Sequence, residues 1–407
     1  MSETSIQASE RRIDLTGLTR GAIAGVLAAG MILSSSTAAY AAADPTTNWK
    51  PRYVTLKHPH LAMATLSHQA VTGGTVPFWT SNITSPLDGL TYTTSMVGTS
   101  PYDATKVNTT ISYVPIVARI HFPGGVVLDP TVHSTCDYVP LTTRFFNSPL
   151  FTPVNFITYN VNVSTGVVGG TQLMSAYQRA NFWSSVKGSQ YGVTLAPARA
   201  PIIVDITAPT GSSVVSLTAT CGTQHRAAKL GEIDINAYDA IINSLIATYA
   251  TPTQLPIVLS YNVVLTDAGG CCILGYHNAV PVAAGTQTYA IGSIIDPGIF
   301  SGVADVTVWS HELGEWLDDP FVQASVTGGG ADDLTPPWGH VGQVSGCQNN
   351  LENGDPLSGT SFGLTTNGYG YHYQDLAYHD WFYRTPSSAP GGYYSLKGTF
   401  RSVQGVC

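Results

Sequence analysis

Apolar and polar positions along the chain follow two rhythms, one with a period of two residues and one with the helical period. Residues 111–122 and 154–163 read as strands, the second alternating as a half-buried strand does. Residues 171–186 place Leu173, Tyr177, Ala180 and Trp183 at helical spacing. Short strands are expected at 201–206 and 214–218. Asp234 predicts the N-cap of an amphipathic helix with Ile235, Tyr238, Ile242, Leu245 and Tyr249 on one face. Long apolar strands follow at 256–265 and 286–295. Asp305 then opens a third helix, which Pro320 must end. Strands alternating with helices predict an α/β (α+β) protein built on a mixed sheet. Residues 44–110 are rich in Thr, Ser, Pro and Gly and read as an irregular or short-stranded N-terminal region with the character of a wrapped pro-segment. Beyond Pro320 the chain is rich in Gly, Asn and Tyr with little periodicity, which predicts a long irregular C-terminal region that needs a staple. The main domain is therefore expected over 111–407.

Composition narrows the class. Of 407 residues only 10% are charged, against about 25% in an ordinary soluble protein. That excludes a charged coiled coil and a charge-rich disordered chain. The net charge is −8 and no basic run occurs, so nucleic acid is not an expected partner. Residues 1–43 read as an export signal: Arg11, Arg12 and Arg20 precede a mildly apolar stretch at 21–33, then small residues with cleavage motifs ending at Ala41 or Ala43. Arg11-Arg12 is of the twin-arginine kind, although Asp14 stands where that signal usually has an aromatic residue. No second long apolar segment follows, so a secreted, extracellular or periplasmic protein without stable membrane insertion is expected. Six cysteines, Cys136, Cys221, Cys271, Cys272, Cys347 and Cys407, allow up to three disulfides in 15 connectivities. Cys347 and Cys407 are placed to staple the C-terminal region. Adjacent Cys271 and Cys272 are expected to take separate partners.

The candidate chemistry comes from glutamate. The chain has 19 Asp but only six Glu, and three of these are Glu312, Glu315 and Glu352. The third helix carries His311-Glu312-Leu313-Gly314-Glu315. Residues four apart lie about 40° apart around a helix and one turn up, so His311 and Glu315 point the same way and can share one cation. Glu312 lies about 100° round, the position of the general base in an H-E-x-x-H metal-dependent hydrolase. Val306, Trp309, Leu313 and Leu317 fall on the opposite, anchoring side. A catalytic zinc site takes three protein ligands and leaves one position open. Glu352 is the first candidate for the third ligand and Asp355 the second. His340 is a further candidate. Asp319 is about 12 Å along a straight helix from His311 and qualifies only if the helix breaks before it. The competing interpretation of the helix is an ordinary amphipathic one with a solvated acidic face, ending in polar Asp318 and Asp319. His277, after Cys272, reads either as a site residue or as a satisfied loop histidine. The aromatic-rich stretch 371–384 reads as core packing or as a cleft lining.

These segments together resemble a group of secreted, zincin-like proteins that carry a C-x-x-G-Y-H-like segment, S-H-E-x-x-E-W-x-x-D-P and a later E-x-G-D-P-L. Here these are Cys272 to His277, Ser310 to Pro320 and Glu352 to Leu357, with Gln178 to Trp183 as part of the same pattern. The order of segments is also distantly similar to plant phosphate-induced, Exordium-like secreted proteins. The resemblance implies a metallopeptidase acting on a protein or peptide, with Zn2+ held by His311, Glu315 and Glu352. Departures stand beside it. Position 321 is Phe321 where metzincins have a third His, and no Met follows the helix to make a Met-turn. Two rival readings remain: a non-catalytic extracellular binding protein whose carboxylates hold structural Ca2+, and a carboxylate-pair glycosidase.

Overall fold

Both periodicities become packed layers in the computed structural model, which describes residues 73–156, 170–268, 270–322, 332–339, 347–403 and 407. The expected export segment, the strand beyond residue 156 and His340 lie outside these. The chain opens with an antiparallel hairpin, β1 (Phe78–Thr84) and β2 (Thr91–Val97). The long strand β3 (Asn108–His121) follows, then β4 (Val127–Leu128) and helix α1 (Leu141–Phe146). The helical run at 171–186 divides into α2 (Leu173–Asn181) and α3 (Trp183–Val186) at Phe182. Next come β5 (Gly192–Pro197), β6 (Ile202–Thr207), β7 (Ser213–Cys221) and β8 (Gln224–Asp234). Helix α4 (Ile235–Tyr249) is capped by Asp234, whose side chain accepts from the amides of Asn236 and Ala237. Strands β9 (Leu255–Tyr261), β10 (Val263–Asp267), β11 (Gly270–Ile273), β12 (Gly275–Val282), β13 (Gly285–Phe300) and β14 (Val303–Asp305) lead into α5 (Thr307–Asp318).

The main sheet has eight strands. Its path runs β12-β13-β9-β3-β4, with β5 and β6 also parallel to β3, and β14 on β13. β13, β9 and β3 are mutually parallel, whereas β12 and β4 pair antiparallel, so the sheet is mixed and the class is α+β. Both faces are covered, as parallel strands require. On β3, Ile111, Tyr113 and Val117 enter one core while Val114, Ile116, Ala118 and Ile120 enter the other. The first core receives α2 and the apolar side of α5, with Trp309, Leu313 and Leu317. The second receives α4, with Tyr238, Ile242 and Ile246.

The apolar run at 256–265 is two strands, not one. Asn262 adopts φ 46°, a left-handed conformation that Asn tolerates better than branched residues. The chain turns there out of the main sheet into a second one, ordered β11-β10-β8-β7. Paired bonds between Asn262 and Asp296 (2.9 Å each way) hold the corner.

Within the C-terminal region lie two hairpins. One is β15 (Leu334–Trp338) with β16 (Gln348–Asn350), the other β17 (Ser361–Thr366) with β18 (Tyr369–Gln374), and α6 (His379–Tyr383) follows. Trp381, Phe382 and Tyr383 are core residues packed with Trp338. The disulfides are Cys136–Cys221, Cys347–Cys407 and Cys271–Cys272. The last corrects the expectation of separate partners: the other four cysteines are already paired, which leaves these two to each other. Three disulfides belong with an oxidising compartment. Among the described residues no helix is long and apolar enough to cross a membrane.

One carboxylate ties the layers together. Asp318, fully buried at the end of α5, accepts from Tyr177 Oη (2.7 Å) and Gln178 Nε2 (2.6 Å) of α2 and from Asn353 Nδ2 (3.0 Å). Asn353 Nδ2 also reaches Gly314 O (2.7 Å) on α5. Asp318→Ala would strand Gln178 Nε2, at a cost of about 1–3 kcal/mol, while Tyr177 Oη keeps the Ala377 carbonyl and Asn353 Nδ2 the Gly314 carbonyl. Urea unfolding should show a loss of about 2–3 kcal/mol, whereas Tyr177→Phe should cost only about 1 kcal/mol.

Candidate metal centre

Helix α5 is buried on all sides, and this overturns the solvated acidic face. His311 is 3% exposed, Glu312 and Glu315 4% each. The apolar side rests on β13, where Trp309 packs over Gly292; a Cβ there would come 2.9 Å from the indole. The polar side is covered by β12 and by the segment 350–357. That segment is tied down by Trp338 Nε1 to Asn350 O (2.8 Å), Leu351 N to Asp333 O (3.0 Å) and Ala377 N to Asn353 O (2.9 Å).

Glycines let these elements close on the helix. A Cβ at Gly354 would collide with the His311 ring, so the backbone lies flat against the imidazole. A Cβ at Gly275 would sit 2.8 Å from Glu312 Oε1 and 2.7 Å from the Ile291 carbonyl. Strand β12 thus passes directly beside the carboxylate.

His311 Nε2 lies 3.0 Å from Glu315 Oε1 and 3.6 Å from Asp355 Oδ1. These three residues can each bring a donor atom within 4.8 Å of the others. Glu352, the first candidate for the third ligand, is not in that set. It belongs to another, with His277 and Asp319, and Glu315 takes a hydrogen bond from it. Glu352 Oε2 is buried with no hydrogen-bond partner. Asp319 enters the cluster because the helix does end first: α5 stops at Asp318, and Asp319 leaves it at φ −138°, ψ 62°.

His277 is the residue that local spacing undervalues. It stands on β12 rather than in a loop and is 5% exposed. Its Nε2 is 2.9 Å from the Asp319 carbonyl, while Nδ1 is 3.8 Å from Glu315 Oε2 and 3.9 Å from Glu312 Oε2. A third set, His277, Glu312 and Glu315, overlaps the first through Glu315.

The electrostatics are those of an acidic pocket to which, among the described residues, no lysine or arginine is ion-paired. The buried arginines among the described residues, Arg179 and Arg384, donate to backbone carbonyls. Burial pushes Glu312 and Glu352 well above the usual carboxylate range, and neighbouring carboxylates push them further. Burial also raises Glu315, with His311 opposing. Burial disfavours charge on His311, but Glu315, Glu312 and Asp355 override it and lift the imidazole to about 10. Burial lowers His277 to about 4, so that ring is neutral at pH 7.

Two imidazoles and several carboxylates, closely spaced and out of water, form a donor set of the kind zinc takes. A divalent cation would also supply the positive charge that burial of these acids calls for. No family model matches the sequence, and no curated protein or solved structure matches it, so the likeness to zincin-like proteins rests on the motifs alone.

Sign and window of the pH response follow from these shifts. Acids whose folded pKa is raised bind protons more tightly folded than unfolded, so their stabilisation is present below about 4.5 and fades as pH rises. That of His311 is present below 6.5 and is lost as pH climbs through about 10. His277 acts oppositely, but only between about 4 and 6.5. Chelator-treated protein should therefore lose stability steadily as pH rises from 6.5 to 9.5, and added Zn2+ should flatten that slope. Denaturation midpoints with chelator and with Zn2+ across this window measure both.

Proposed function

We propose that the protein is a secreted, metal-dependent hydrolase, and within that class a metallopeptidase acting on protein or peptide substrates. The observation that carries this reading is the convergence of His311 Nε2, Glu315 Oε1 and Asp355 Oδ1 in a buried, cation-poor pocket beside a further glutamate. His311, Glu315 and Asp355 would hold the cation. Glu352 takes the place of a positioning residue, because its hydrogen bond goes to Glu315. A divalent ion held there would polarise a substrate carbonyl and make water more acidic. Glu312, one residue from His311 and raised in basicity by burial, accepts the proton of the attacking water and passes it to the leaving amine. Gly275, close beside it, leaves the space that its carboxylate occupies. Three disulfides and the N-terminal signal pattern support an extracellular or periplasmic location.

A second reading is favoured by burial itself. With donors no more than 5% exposed, the ion would serve as a structural cross-link in a binding protein. The histidine nitrogens favour zinc over calcium even then, since calcium takes oxygen ligands.

Metal analysis of purified protein, paired with hydrolysis of a broad substrate such as casein, separates the two. Bound zinc and a fall in rate of about 10²–10⁴-fold in Glu312→Ala, with zinc retained, are expected of the hydrolase. Absence of metal, or hydrolysis undiminished by the substitution, overturns it. Zinc whose removal lowers the melting point of a protein without hydrolytic activity favours the structural role.

A further inference from the structure

We propose that the protein has a second cation site, formed by His277 Nδ1, Glu312 Oε2 and Glu315 Oε2, with Glu315 bridging two ions. The proposal rests on the reading above, in which His311, Glu315 and Asp355 hold the first.

The tautomer of His277 is the starting point. Its Nε2 faces the Asp319 carbonyl at 2.9 Å, and a carbonyl oxygen only accepts. The ring hydrogen is therefore on Nε2, and Nδ1 presents a bare lone pair. Two carboxylate oxygens lie 3.8 and 3.9 Å from that nitrogen. Nδ1 makes no hydrogen bond among the described residues, and these distances are too long for one. Acceptors facing one another in a buried site repel unless a proton or a cation lies between them, and the separation here is too wide for a shared proton. Two ligand atoms at 2.0–2.2 Å from a tetrahedral ion are about 3.3–3.6 Å apart. His277 Nδ1 would need to approach each of the two oxygens by only a few tenths of an ångström.

Glu315 supplies the link. Its Oε1 faces His311 and its Oε2 faces His277, so the two oxygens of one carboxylate serve two different imidazoles. Paired-ion sites of hydrolytic enzymes have ions about 3.5–4 Å apart. The nitrogen donor in each half selects a transition-metal ion over calcium or magnesium. Filling the second site also engages the Glu312 oxygen needed for proton transfer, so the second ion is inhibitory.

The test is titration of the chelated full chain with Co2+ and Zn2+, read by calorimetry and by the Co2+ absorption spectrum. The wild type should take up two equivalents, the second weaker, with hydrolysis rising on the first and falling on the second. His277→Gln should take up one and escape the inhibition by excess Zn2+. Mn2+ at two equivalents gives a check on the wild type alone, since ions bridged by one carboxylate show a spin-coupled resonance spectrum. One equivalent in the wild type, or two uncoupled Mn2+ ions, overturns the second site and leaves the first reading intact. Two equivalents in both wild type and His277→Gln overturns the assignment to His277. No uptake at all overturns both readings.

Discussion

The constraint on which the structure turns is the removal of acid from water along one side of α5. Glu312, Glu315, Asp318, Asp319, Glu352 and Asp355 are all buried within one neighbourhood. Moving a single carboxylate from water into protein costs several kcal/mol unless it is paired or protonated. A helix in this position would ordinarily turn its charged side outward. Here the rest of the fold is arranged to keep it covered: β12 lies against Glu312, and the segment 350–357 lies against His311. Each approach depends on a glycine, Gly275 or Gly354, where a methyl group would strike the functional side chain.

Two kinds of polar residue share this buried side, with different roles. Asp318 is saturated with donors from Tyr177, Gln178 and Asn353, so it holds α2, α5 and the 350–357 segment in register. It stands on nearly the same side as His311 and Glu315 but is occupied structurally. Glu312 and Glu315 instead face imidazoles and other carboxylates. Because Asp318 carries the anchoring bonds, the spacing of Glu312 and Glu315 is set independently of them.

The legible part of this arrangement was the local part. Helical spacing brings His311 and Glu315 together whatever the fold does around them, and Asp234 caps α4 as its side chain allows. The strand-rich mixed architecture also follows from periodicity. The third partner does not, because Glu352 and Asp355 are three residues apart in one tight segment and only its three-dimensional path decides which meets His311. His277 was visible as a residue but not as a neighbour, since its position depends on β12 pairing with β13 alongside α5. The break at Asn262 is likewise easily read through, because apolar residues flank it on both sides. One feature was locally written and easily passed over: Asn367-Gly368 between β17 and β18 is a two-residue hairpin signal, and both residues take positive φ.

A buried cluster of acids can reach neutrality with protons or with a cation, and interatomic distances distinguish the two. Protonated carboxyls bond directly to their neighbours. Burial favours that protonated form in Glu352, beside Glu315, and in Asp333, beside Asp319. Both Glu352 and Asp333 have their pKa raised well above the usual range, first by burial, which is the condition for holding that proton. Some of the inner atoms are spaced more widely. His277 Nδ1 stands too far from Glu312 Oε2 and from Glu315 Oε2 for a shared proton. So does the 3.6 Å between His311 Nε2 and Asp355 Oδ1. Such gaps are wide for hydrogen bonds and close to the edge of a coordination polyhedron. The gaps around His277 and Asp355 are therefore the positions at which the proposed cation would fit, whereas His311 Nε2 and Glu315 Oε1, 3.0 Å apart, already lie at hydrogen-bond distance.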